Sequence, residues 1–165
     1  MTDPATLPYR ANVGAALFNR AGKVLIARRA DLKRIAAHPW QLPQGGIDAN
    51  EAPRRAVLRE LREEIGTDAA TIVGEIPSWL DYDFPPEIMR KFGSKHRGQR
   101  QRWFALRFTG TDDMIRLDTH SHPEFDAWRW ADLAEIPDLA VPFKRPIYER
   151  VARDFAPFAK PDGAE

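Results

Sequence analysis

Residues 45–67 restrict this chain more tightly than any other segment, because a glycine-containing loop runs straight into a stretch that carries acids at helical spacing. Gly45 and Gly46 relieve backbone crowding in the loop. Glu51 and Pro53 suit a first helical turn, and Gly66 suits the position just past the last one, which predicts a helix over residues 51–65. At about 100° per residue, Glu60 and Glu64 fall roughly 40° apart, with Glu63 about 60° to the other side of Glu60, so three carboxylates share one face. Val57, Leu58, Leu61 and Ile65 form the adjacent face and are expected to anchor the helix on a sheet. Like charges at this spacing repel, and a hard divalent cation with oxygen ligands offsets the repulsion. Taken alone, the run from Arg59 to Glu64 also fits a solvated surface helix with Arg54, Arg55, Arg59 and Arg62 as partners. On helical spacing alone both readings stand.

Elsewhere the pattern is one of short strands. Residues 13–18 and 23–27 read as strands joined by a turn at Asn19, Arg20, Ala21 and Gly22. Residues 31–40 and 41–50 read as two loops, the second holding Pro43 and the glycine pair. Residues 70–76, 79–82, 101–108 and 128–130 are further strand candidates, and 85–92 a short helix. Residues 143–155 predict a terminal helix, with Ile147, Val151 and Phe155 on one stripe and Pro146 in the first turn. Strands, helix, strands, helix imply an α/β chain whose mixed sheet is covered on both faces. One domain over residues 8–156 accounts for the pattern, with 1–7 and 157–165 as flexible tails.

Composition narrows the partners only through the distribution of charge. The 165 residues carry a net charge of +1, and no cysteine is present, so disulfides and thiolate metal sites are excluded. No apolar run approaches the roughly 20 residues that span a bilayer. Nor does the stretch before Arg10 have the apolar core of a signal peptide, so the cytoplasm is the expected compartment, with no membrane partner. Residues 88–111 contain no acid while holding Arg90, Lys91, Lys95, Arg97, Arg100, Arg102 and Arg107. Such a run is either a solvated face or a positive field for a polyanion.

The segment Gly45, Glu51, Arg59, Glu60, Leu61, Arg62, Glu63, Glu64, Ile65 and Gly66 resembles the Nudix box at every fixed position, with Thr67 in a last slot that is usually aliphatic. The resemblance extends from Tyr9 to about Phe155 through Tyr9-Arg10-Ala11-Asn12-Val13-Gly14, Trp40-Gln41-Leu42-Pro43-Gln44-Gly45-Gly46-Ile47, Gly98-Gln99-Arg100-Gln101-Arg102-Trp103-Phe104, Pro123-Glu124-Phe125-Asp126 and Val141-Pro142-Phe143-Lys144-Arg145. Within the Nudix hydrolases these segments are similar to bacterial RNA pyrophosphohydrolases and the related dinucleoside polyphosphate hydrolases. The resemblance implies an α/β/α sandwich with a mixed sheet and hydrolysis of a nucleoside diphosphate linked to another group. By position it implies that Glu60, Glu63 and Glu64, with the Gly45 carbonyl, hold two or three Mg²⁺ ions, with Mn²⁺ as the other candidate. Glu124 would add a carboxylate from outside the helix, as metal ligand or general base. Arg59 is expected to orient a box glutamate such as Glu51.

The same resemblance puts Arg10, Arg29 and Lys144 beside the phosphates or the terminal base. Val141 and Phe143 would then wall a base pocket, although Phe143 serves equally as a core aromatic opening the last helix. Gln44, Gln99 and Gln101 are expected as neutral donors to substrate. Trp40, Trp79 and Trp103 read as packing residues, and His38, His96, His120 and His122 as solvent-exposed loop residues. The acid-free run suggests a trailing RNA backbone tracked by lysine and arginine, hence removal of pyrophosphate or γ-phosphate from the 5′ end of RNA. A diadenosine tetraphosphate hydrolase and a non-catalytic nucleotide- or RNA-binding module are the competing readings. Oligomeric state is not legible.

Overall fold

The computed structural model describes residues 3–31, 37–92 and 95–162. Eight strands and four helices follow one another in this part of the chain: β1 (Tyr9–Phe18), β2 (Val24–Arg29), β3 (Trp40–Gln41), β4 (Gln44–Gly46), α1 (Pro53–Ile65), β5 (Ala70–Glu75), β6 (Leu80–Asp83), α2 (Pro86–Phe92), β7 (Gly98–Phe108), β8 (Phe125–Ala131), α3 (Ile136–Leu139) and α4 (Arg145–Asp154). The sheet runs β3-β2-β1-β7-β5, with β4 also on β1, β6 on β7 and β8 on β2. β1 and β7 are parallel from Tyr9↔Gly98 to Phe18↔Arg107, while the other pairs are antiparallel, so the sheet is mixed.

The central strand β1 is buried from Asn12 to Phe18, as a strand covered on both faces must be. Its alternate residues divide the interior. Val13, Ala15 and Leu17 join Phe104 and Leu106 beneath Val57, Leu61 and Ile65 of α1. Ala16 and Phe18 join Trp103, Ile147, Tyr148, Val151 and Phe155 under α4. The chain is therefore an α/β/α sandwich, and α1 is held by the apolar face read from its sequence. The segment after Ala156 is also tied down: Phe158 lies 6.4 Å from Phe18, ring to ring, and the Asp162 N–H donates to the Arg20 carbonyl at 2.7 Å.

Several boundaries differ from expectation for physical reasons. The loop over residues 41–50 contains a strand, because Gln44–Gly46 pairs with Asn12–Gly14. The helix expected from residue 51 begins at Pro53, and Glu51 stands before it with its carboxylate engaged elsewhere. β7 begins at Gly98, three residues earlier than its apolar alternation suggests, since its polar start is paired on both sides by β1 and β6. The last helix is preceded by a separate 3₁₀ turn, Pro142–Lys144. The loop expected over residues 31–39 falls partly outside the described residues, including Arg34.

Candidate active site

The loop before α1 is fastened from three directions. β4 pairs with β1, the Ala15 N–H donates to the Pro43 carbonyl at 2.9 Å, and the Leu42 N–H donates to the buried Tyr148 hydroxyl at 2.9 Å. Arg59 then clamps loop to helix. Its guanidinium donates to both Glu51 oxygens at 2.7 and 2.8 Å, to the Gly46 carbonyl at 2.8 Å, to Glu60 at 2.9 Å and to Glu63 at 3.2 Å. The hydrogen bonds from Arg59, helped by the Asp48 backbone, hold the Glu51 carboxyl down at about 2. Glu51 in turn raises the Arg59 guanidinium further above its ordinary value. Arg59 thus orients Glu51, as its place in the motif suggests.

The three acids of α1 do not share one environment. Glu60 and Glu64 line a cleft of about 690 Å³, whereas Glu63 is half exposed at its rim and turned to Arg59. Glu64 is 7% exposed, and neither of its oxygens has a hydrogen-bond partner among the described residues. Burial, followed by the charges of Glu124 and Glu60, pushes its carboxyl well above the usual carboxylate range, and an approach by the Gln44 backbone only weakly offsets this. Burial also raises Glu60, against the opposing pull of Arg59. Glu124 reaches the cleft from the loop before β8, and it too is raised, chiefly by burial. The Ala30 N–H donates to the Glu124 carbonyl at 2.9 Å, which ties that loop to the end of β2.

This donor set fits a hard divalent cation. Carboxylates facing one another lack donors, and two acceptor oxygens of Glu64 are buried with nothing to satisfy them. Gly45 closes the other side: a Cβ there would land inside the Glu60 carboxyl group, so the backbone approaches as near as glycine allows. Among the described residues no three His, Asp or Glu side chains are drawn together tightly enough to hold an ion unaided. Glu63 in particular is held away by Arg59.

Cations and rings line the same cleft. Arg10, Arg29 and Lys144 all line the cleft with Gln44, Gln99, Val141 and Phe143. Arg29 pairs with Asp31 at 2.8 Å, while Arg10 lies over Gly46 with no ion pair among the described residues. Lys144 is buried; desolvation and then Arg29 push its ammonium down to about 8, against the pull of Glu124 and Glu64. Phe143 packs at 5.7 Å from the Tyr82 ring, at once a cleft wall and a neighbour of the core. The Gln99 carbonyl oxygen is buried without a partner.

Three readings change. Gln101 does not face the cleft: it is 1% exposed, and its amide is spent on Asn12, Gln44 and Trp103. The basic run over residues 88–111 is not a bare positive field. Arg97 pairs with Asp83, Arg100 with Asp81 and Arg102 with Glu75, while Arg107 binds the Asn19 and Phe158 carbonyls. The acids lie on neighbouring strands β5 and β6, where a reading along the chain does not see them. Finally, His38 and Trp40 line the cleft and are half-buried, and His96 is half-buried as well. The Arg28 and Arg129 guanidinium groups lie 5.9 and 5.4 Å from the Trp40 ring. Trp103 is core, but Trp79 is exposed beneath Arg102. Asn12 and Tyr82 also line the cleft; strand pairing brings them there, and no local motif marks them.

Comparison with known proteins matches residues 8–151 to the NUDIX domain. The chain is 73% identical over 164 residues to the RNA pyrophosphohydrolase of Acidiphilium cryptum, covering 99% of this chain and all of that one. It is 58% identical to the RNA pyrophosphohydrolase of Gluconacetobacter diazotrophicus, over 98% of this chain and 99% of the other. Among solved structures, the MutT protein of Methanosarcina mazei superposes with a TM-score of 0.65 at 24% identity, covering 90% of this chain and 96% of that one. A C. elegans Ap4A hydrolase complex superposes with a TM-score of 0.62 at 17% identity, covering 90% and 98%. These two likenesses concern the fold.

Proposed function

This chain belongs to the NUDIX family, and from that premise we propose that it removes pyrophosphate or γ-phosphate from the 5′ end of RNA, leaving a 5′-monophosphate, by attack of water on the polyphosphate. Nudix hydrolases are in general dependent on divalent metal. The observation that carries the reading is the donor-free Glu64 carboxyl, buried beside Glu60 and Glu124 in a cleft that Arg10, Arg29 and Lys144 also line. The identity with RNA pyrophosphohydrolases over the whole chain supports RNA as the substrate.

Glu60, Glu64 and Glu124, with Glu63 and the Gly45 carbonyl, would hold two or three Mg²⁺ ions, Mn²⁺ serving as well. Such ions, when bound, neutralise phosphate oxygens and lower the pKa of an attacking water. Arg10, Arg29 and Lys144 draw the polyphosphate into the cleft and spread its charge. Glu124, which reaches the cleft from outside the helix, would serve as a metal ligand or as the general base that takes a proton from water. Val141 and Phe143 offer an apolar wall to a terminal base, where stacking is worth roughly 1–3 kcal/mol. Arg59 touches loop and helix and keeps both in register.

The test is turnover of 5′-triphosphorylated and 5′-diphosphorylated RNA with Mg²⁺, beside diadenosine tetraphosphate, with product analysis in ¹⁸O water. A larger kcat/KM on RNA, with ¹⁸O entering the phosphate, is the expected result. Preference for the dinucleotide would reassign the substrate.

A further inference from the structure

We infer that Gln101, a residue that does not reach the cleft, sets the polarity of the cleft floor as a positioning residue; this rests on the polyphosphate reading of the site. The indole N–H of Trp103 can only donate, and it donates to Gln101 Oε1 at 3.0 Å. That orients the Gln101 carboxamide, whose two ends are otherwise alike in shape. Its Nε2 must then donate, and it does so to Asn12 Oδ1 at 2.8 Å and to Gln44 Oε1 at 3.3 Å. Both neighbours therefore turn their carbonyl oxygens inward and their NH₂ groups outward.

Asn12 and Gln44 both line the cleft, whereas Gln101 and Trp103 do not. Neither outward NH₂ group makes a hydrogen bond of good geometry among the described residues, although Asn12 itself is only 1% exposed and Gln44 half-buried. One Gln44 N–H lies toward the Tyr82 hydroxyl, and the remaining donors are left for a ligand. The NH₂ groups of Asn12 and Gln44 are donors, which suit phosphate oxygens in a cleft whose other polar groups include the acceptors Gln99 Oε1, Glu60 and Glu64. The relay is built into the fold. Asn12 and Gln101 are partners in the β1–β7 ladder, and the Trp103 ring occupies the space a Cβ on Gly14 would need.

Gln101→Glu keeps the shape and the acceptor for Trp103 but removes the donor, so Asn12 and Gln44 must flip and show carbonyl oxygens to the substrate. Gln101→Met keeps the volume and leaves the two amides unpinned. For 5′-triphosphorylated RNA, KM should rise roughly 10- to 100-fold in the Glu variant and less in the Met variant, with kcat nearly constant. Independently of turnover, magnesium pyrophosphate added to ¹⁵N-labelled wild-type protein should move the side-chain NH₂ resonances of Asn12 and Gln44, and should not move them in the Glu variant. Unmoved NH₂ pairs in the wild type would overturn the inference even if neither variant folds. So would an unchanged KM, or equal shifts in the wild type and the Glu variant. NH₂ shifts that depend on Gln101 in a protein that leaves RNA intact would remove the proposed substrate and keep the relay.

Discussion

The backbone at Gly45 and the carboxyl group of Glu60 are packed so closely that a methyl group on Gly45 would overlap the carboxyl atoms. A strand residue and a helix residue fifteen positions apart thus fix each other. Gly45→Ala must push the Glu60 carboxyl aside, and a displacement of about 1 Å at such a site costs on the order of 100-fold in rate. Steady-state assays should show that loss, with the melting temperature little changed. An alanine variant of near-normal activity would show that the close approach has no catalytic meaning.

Glu64 stands against stability in order to serve the site. Its folded pKa lies above the ordinary value, so the metal-free protein is penalised as pH rises through that folded value and Glu64 ionises. Glu64→Gln should therefore abolish turnover while raising the melting temperature in EDTA, with the gain larger at about pH 8 than at about pH 5. Added Mg²⁺ should stabilise the wild type more than the variant. Equal melting curves in EDTA at both pH values would remove the argument.

The Glu51–Arg59 clamp makes the opposite prediction. Glu51 is depressed from 4.5 to about 2 in the fold. Its stabilisation is complete above the unfolded value and disappears as pH falls through the folded one. In urea, Glu51→Gln should be less stable than the wild type near neutrality, with the gap narrowing between about pH 5 and pH 3. A constant gap over that range would mean that the carboxylate charge contributes nothing.

Arg10 and Arg100 separate a cation that faces the cleft from one that is already paired. Arg10 lines the cleft, and Arg100 binds Asp81 on an exposed strand. Exposed pairs contribute about 0–1 kcal/mol, so Arg100→Gln should leave RNA turnover within a few-fold of the wild type. Arg10→Gln should raise KM by about tenfold or more, as expected when a charge-assisted hydrogen bond to phosphate is lost. The reverse order would restore a role for the strand β7 arginines in tracking a trailing RNA backbone.

The helix Pro53–Ile65 and its Gly66 terminus were legible because periodicity and a left-handed glycine are local signals, and Gly66 adopts φ 77°. The strand over residues 13–18 is legible for the same reason, and the structure extends it back to Tyr9. What escaped the sequence is non-local. β4 has no alternation of its own and exists because β1 offers it partners. Asp81 and Glu75 neutralise Arg100 and Arg102 only after the strands pair, so an acid-free stretch of sequence is not an acid-free surface. Gln101 reads as a substrate donor along the chain because Asn12, which faces it across the β1–β7 ladder, lies far away in sequence, and because the adjacent Trp103 finds its acceptor there only once the strand has formed.

The parallel union of Tyr9–Phe18 with Gly98–Phe108 has a bearing on synthesis. By the time α1 has left the ribosome the whole phosphate signature exists, yet the strand that completes the sheet centre is still unmade. Until β7 emerges, β1 has one long edge unpaired, and the acids of α1 have no finished floor to face. A nascent chain stalled before Gly98 carries every residue of the motif and cannot assemble the cleft, so catalytic competence arrives late in translation, with a segment that contains none of the motif's acids.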